Sequence, residues 1–181
     1  MATKARIAVN LLHIVPGKVG GSEEYSVETL RAFAESENKE IEPVIHASEA
    51  FFKEYPDLCE SFETEIYRLE GRNRLKRILT ESTAFRRRAS GAEGAHHFGG
   101  HLPLFSPRPA AVTMHDLQPL DKPENFSFLK RHYFKIVIPS SLKSADLVVA
   151  VSGDVSNQIN KQFEISDECL RTVSMGIARI R

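Results

Sequence analysis

The chain has 181 residues, enough for one domain with a real core but cramped for two, and its 24 basic and 24 acidic residues cancel. No global field therefore recruits nucleic acid or an anionic membrane, and any partner must be recognised locally. Cys59 and Cys169 form no metal or redox spacing and no disulfide framework, MATKARIAVNLL lacks the features of a signal peptide, and no run approaches transmembrane length, so a cytoplasmic protein is expected.

Continuous β-branched runs alternate with helical spacing, which is how an α/β protein with a buried parallel sheet reads. Residues 6–12 (RIAVNLL) predict a first strand, and a Gly-containing loop leads into a helix over 23–35 with Val27, Leu30, Ala32 and Phe33 facing inward. Residues 42–47 and 65–69 read as further strands. A helix rich in Leu, Lys and Arg is expected over 73–89. Short strands follow at 94–98 and 109–115, then a helix over 128–143 that Pro139 must kink or divide. Residues 146–151 (DLVVAV) are the clearest buried strand. Ser152 caps the next helix, which has Val155, Ile159 and Phe163 at core spacing, and 170–174 form a last strand. With no internal repeat, residues 1–181 read as one Rossmann-like domain, a doubly wound, mostly parallel sheet with helices on both faces.

Ligands of open α/β sheets bind outside the carboxyl ends of the strands. His115-Asp116 closes one such strand, in VTMHDLQPLDKPENF. A histidine and an aspartate there can position a hydroxyl, exchange a proton or ligate a metal, and equally can close a strand and cap a turn. In VPGKVGGSEEY, Gly20 and Gly21 allow close backbone approach, and the free N–H groups of the following helix favour a phosphate, although the loop is neither G-x-G-x-x-G nor a Walker loop. Glu23 and Glu24 complement the helix dipole. His96, His97 and His101 in HHFGGHLP suggest a metal, but adjacent strand residues point to opposite faces and no carboxylate or thiolate is near in sequence, so no metal is expected. Gly99 and Gly100 more naturally line the mouth that holds His115. Ser152 lies where a hydrolase nucleophile would, without the flanking glycines of G-x-S-x-G. The basic stretch 72–88 and LKRHYFK read as solvated helix faces, with at most weak peripheral membrane contact.

Taken in order, GGSEEY, HHFGGHLP, VTMHDLQPLDKPENFSFLKRHYF, IPSSLKSADLVVAVSGDV and VSMGI resemble the N-terminal domain of family-four glycosyltransferases, retaining enzymes of the GT-B fold with two Rossmann-like domains facing across a cleft. The resemblance implies transfer of a hexose from a nucleotide-sugar, as co-substrate and without another cofactor, to a sugar or lipid-linked sugar acceptor. It implies His115 and Asp116 at the reaction centre, His115 orienting sugar hydroxyls rather than acting as a nucleophile. Substrate contacts are implied at Gly20, Gly21, Glu23, Tyr25, Gly99, Gly100 and Ser152.

In that family VSMGI precedes a C-terminal domain whose Arg, Lys and paired glutamates bind the donor. The sequence stops at Arg181, so this chain is expected to be the acceptor-side half, inactive alone, completed by a donor-domain partner chain or forming a homodimer. An open strand-end face around Leu102, Leu104 and Phe105 would expose apolar surface for such pairing. A non-catalytic glycan- or protein-binding module is the alternative, and a hydrolase using Ser152 is disfavoured by its missing glycines.

Overall fold

The computed structural model describes residues 4–37, 40–69, 74–174 and 176. Seven strands, β1 (Ala5–Asn10), β2 (Ile41–Ser48), β3 (Glu63–Tyr67), β4 (Gly94–His97), β5 (Ala110–Met114), β6 (Leu147–Ala150) and β7 (Leu170–Thr172), form one sheet in the order β3-β2-β1-β4-β5-β6-β7. Every neighbouring pair is parallel. This is the doubly wound, Rossmann-like sheet expected from the sequence.

From β1 to β3 the chain steps one way along the sheet, and from β4 onward it steps the other way. Right-handed crossovers then send the connecting helices to opposite faces. α1 (Gly21–Glu35), α2 (Glu49–Glu54) and α3 (Pro56–Ser61) cover one face. The helical run after β3, α7 (Phe128–Ser144) and α8 (Gly153–Phe163) cover the other. Register agrees: Ala8 and Ala95 share a row and pack with Phe85 and Ala89 of that helical run. Most of the remaining core, from Leu30 on α1 to Ile138 on α7 and Ile159 on α8, forms a single larger cluster.

Several elements depart from expectation for physical reasons. Residues 48–62, which carry no anticipated element, hold α2 and α3: Ser48 accepts a hydrogen bond from Phe51 N at 3.3 Å as a cap, and Pro56 starts α3 where its missing N–H has no cost. The helix expected over 73–89 is four pieces, namely α4 (Arg74–Thr80), a π turn (Glu81–Phe85), α5 (Arg86–Arg88) and a 3-10 turn (Ala89–Gly91), while Asn73 lies outside the described residues. The wider π turn buries both Glu81 and Phe85. On α1, Ala32 is exposed rather than inward, and Phe33 is half-buried against Phe62. α7 runs through Pro139 without dividing.

Leu102, expected on the surface, is 6 % exposed; its backbone N–H donates to Ser141 Oγ at 2.8 Å, leaving only Leu104 and Phe105 of that trio outside. A short α6 (Gln118–Asp121) follows β5. Among the described residues no helix is long and apolar enough to cross a membrane.

Candidate functional site

Strand order reverses between β1 and β4, so the loops leaving these two strands part and open a crevice. A cleft of about 1100 Å³ lies there, over the carboxyl ends of the strands. A buried hydrogen-bonded chain joins the ends of β1 and β4. Asn10 at the end of β1 takes Leu12 N–H on its Oδ1 and donates from Nδ2 to His97 Nδ1 at 3.0 Å, so His97 Nε2–H is left to donate to Ser106 Oγ at 2.6 Å. Burial, with the neighbouring histidines, holds His97 down at about 3, neutral at physiological pH.

The loop after β1 puts His13 in the cleft wall, and the loop after β4 passes close against it at Gly99. A Cβ on Gly99 would stand 3.0 Å from His13 Cγ. Gly100 adopts φ +75°, which favours glycine on backbone grounds. Both glycines line the cleft with His115.

His115 follows Met114 and so projects toward the α1 side of the sheet. Tyr25 of α1 meets its ring edge-on at 5.4 Å and 86°. Its Nε2 lies 2.9 Å from the carbonyl of Phe98. A carbonyl can only accept, so Nε2 carries the proton and Nδ1 of the neutral ring remains an acceptor. Burial lowers the His115 pKa, against the opposing pull of the Phe98 carbonyl and of Asp116. Asp116 is exposed, lines the cleft and accepts from the N–H of Gln118, the first residue of α6, at 3.0 Å.

Other residues expected to touch ligand are placed differently. Gly20, at φ +67°, is the N-cap of α1 and sits just outside the lining, whereas Gly21 lines the cleft as the first residue of α1. Glu23 is 5 % exposed: it accepts from Gly17 N at 3.0 and 3.1 Å and from the Tyr55 hydroxyl at 2.8 Å, so it clasps the loop to α2–α3 and stands outside the cleft lining. Burial and this carboxylate push Tyr55 up to about 12. Tyr25 is buried behind His115, supporting the ring without lining the cleft. Ser152 caps α8, its Oγ accepting from Val155 N at 3.2 Å, and it too is absent from the lining.

His96 and His97 do turn to opposite faces, His96 Nε2 lying 2.8 Å from Thr113 Oγ1. Sequence reasoning did not single out His13, Lys18, Arg77 and Lys130, all of which line the cleft. Arg77 belongs to the basic stretch read as a solvated face, yet its side chain is only 20 % exposed. Its inward turn has no counterpart in the apolar pattern that defines helix faces.

No family model matches the chain, and no curated protein matches it by sequence. Solved structures do share its fold. A glycosyltransferase from Rickettsia africae is 14 % identical, with a TM-score of 0.50 over 97 % of this chain and 44 % of its own. Anabaena HepE, solved in complex with UDP and glucose, is 16 % identical, with a TM-score of 0.59 over 96 % of this chain and 45 % of its own. The chain thus spans about half the length of these two proteins.

Proposed function

We propose that this cleft is the acceptor side of a retaining glycosyltransferase, which moves a hexose from a nucleotide-sugar to an acceptor hydroxyl. The observation that carries the reading is His115, held in an open strand-end cleft with Nε2 engaged and Nδ1 left to accept from a sugar hydroxyl. The ordered motifs that resemble family-four enzymes support it. So does the fold shared with a glycosyltransferase and with a protein that binds UDP and glucose.

In this reading His115 orients the transferred sugar as positive charge develops at its anomeric carbon. A neutral imidazole serves there because an imidazolium would repel an oxocarbenium-like centre. Gly21 and the α1 N-terminus approach the donor diphosphate, whose oxygen takes up the acceptor proton as the new bond forms on the same face. The cations and glutamates that bind the nucleotide belong to a second domain or chain facing this one. Residues 1–181 alone then bind substrate fragments without turning over, since leaving-group stabilisation is the largest catalytic term.

The test is calorimetric or NMR titration of the chain with glucose and with UDP-glucose, repeated on His115→Ala. Glucose affinity is expected to fall about tenfold, the worth of one good hydrogen bond in a partly desolvated site. Equal binding by both proteins removes His115 from the sugar site and leaves a glycan- or protein-binding module of the same fold.

A further inference from the structure

We propose that the wall of the cleft formed by α4 and α7 is an anion-binding site built on Arg77 and Lys130, and that it takes a phosphate or carboxylate carried by the acceptor. The assignment to an acceptor rests on the glycosyl-transfer reading; the anion site itself rests on charge and geometry.

The whole chain is electrically neutral, yet the cleft is not. Among the described residues three cationic side chains line it, Lys18, Arg77 and Lys130, against one carboxylate, Asp116. Asp116 is already engaged by the N–H of Gln118. A neutral sugar would leave this excess of positive charge unanswered, whereas an anionic group complements it.

Arg77 is the most telling of the three. Its side chain is four-fifths buried, and its Nε, wholly shielded from solvent, has no hydrogen-bond partner among the described residues. Glu81 lies 3.9 Å from that atom, beyond hydrogen-bond range, and is shared with His101 at 4.0 Å and Asn10 Nδ2 at 3.5 Å. A guanidinium presents five donors in a fixed fork, and its ion-pair partner among the described residues is this one distant, shared carboxylate. His13 adds a second buried atom without a partner, Nε2, on the same cleft wall. Burial, and next the charge of Arg77, keep its pKa well down, so His13 stays neutral and does not compete for the anion.

Position separates this wall from the donor side. His115 and Gly21 stand toward the α1 face of the sheet, and Lys18 precedes Gly21 in the same loop. Arg77 and Lys130 come from α4 and α7 on the opposite face, flanking the loop that carries Gly100 and His101. A substrate pair spanning the cleft would therefore place one anion by α1 and a second by α4 and α7.

The experiment is an amide NMR titration of the chain with inorganic phosphate, with glucose 6-phosphate and with UDP, at an ionic strength held constant with chloride. Phosphate and glucose 6-phosphate are expected to shift resonances around Arg77, Gly100 and Lys130. Lys130→Gln, on an exposed helix position that keeps the fold, and Arg77→Lys are each expected to weaken them about tenfold, as loss of a charge-assisted contact does. UDP is expected to shift the α1 N-terminus and to bind Lys130→Gln as it binds the parent. Unchanged phosphate affinity in both variants overturns the site. Equal weakening of UDP and phosphate by Lys130→Gln assigns the wall to the donor's diphosphate and overturns the acceptor claim. If glucose and UDP leave His115 and α1 unshifted while phosphate still binds this wall, the transferase reading fails and the anion site stands.

Discussion

His115 is fixed from two directions, by the Phe98 carbonyl on Nε2 and by the Tyr25 ring against its flank, which leaves Nδ1 as the ring's acceptor. Because its pKa is depressed, the ring is neutral at pH 7 and charges only as pH falls below its ordinary value of about 6.5. Glucose affinity is accordingly expected to be flat from pH 8 to 7 and to decline toward pH 5; affinity that rises on acidification would contradict a neutral acceptor at Nδ1. Gly99 makes the opposite kind of demand, for absence. Gly99→Ala drives a methyl into the His13 ring at 3.0 Å, an overpacking worth about 1–3 kcal/mol, and a urea midpoint unchanged from the parent would show that His13 can retreat freely. Glu23 contributes through structure: Glu23→Ala strands the Gly17 N–H and the Tyr55 hydroxyl, and a loss of about 1–3 kcal/mol is expected in denaturant unfolding.

Helix and strand ends show how far local chemistry reaches. Ser152→Ala should cost about 1 kcal/mol through the lost cap on α8 while leaving glucose and phosphate titrations unmoved; altered ligand binding would return Ser152 to the site. Strands such as β1, β2 and β5 were legible because β-branched residues punctuate them, and DLVVAV proves to contain the buried β6, whereas β4 (GAHH) has no β-branched residue. α2 and α3 escaped notice because Pro56 reads as a break although it begins a helix, so Phe51, Phe52 and Leu58 lose their helical spacing to the eye. The π turn at Glu81–Phe85 was illegible for a related reason: one extra residue shifts the period, and nothing in the side chains announces it. Of the cleft lining, His115, Asp116, Gly21, Gly99 and Gly100 could be read from strand ends and the loops that follow them. His13 and Arg77 could not, since loop residues have no period and a basic run gives no sign of which member turns inward.

At the scale of the molecule, burial keeps histidines neutral across the whole sheet. His46 and His96 are held to about 4 and His97 to about 3, chiefly by desolvation. Unfolding restores each to about 6.5, so the unfolded chain binds more protons below that pH. The stability these groups support is therefore complete above pH 6.5 and drains away as pH falls toward 4, with a limiting slope of about 1.4 kcal/mol per pH unit for each site. Thermal unfolding between pH 7 and 4.5 is expected to show a falling midpoint, and a midpoint constant over that range would mean these rings are already charged in the fold. Charge tells a second story at this scale: the chain as a whole is neutral, yet among the described residues cations outnumber carboxylates in the cleft lining, so a local positive field stands where the global one cancels.

The partnership of Asn10 with His97 joins residues 87 positions apart. A ribosome delivers β1, β2 and β3 long before β4, and those three strands can pair as soon as they emerge. Until residue 97 follows, the inner edge of β1 is an open row of N–H and C=O groups, the kind of edge on which nascent chains associate wrongly. Arrival of β4 caps that edge and, in the same event, brings the loop with Gly99 and Gly100 to the cleft. The assembly of the cleft and the end of the chain's most vulnerable interval are thus one step, and a substitution that loosens Asn10 or His97 is expected to lower the yield of folded protein.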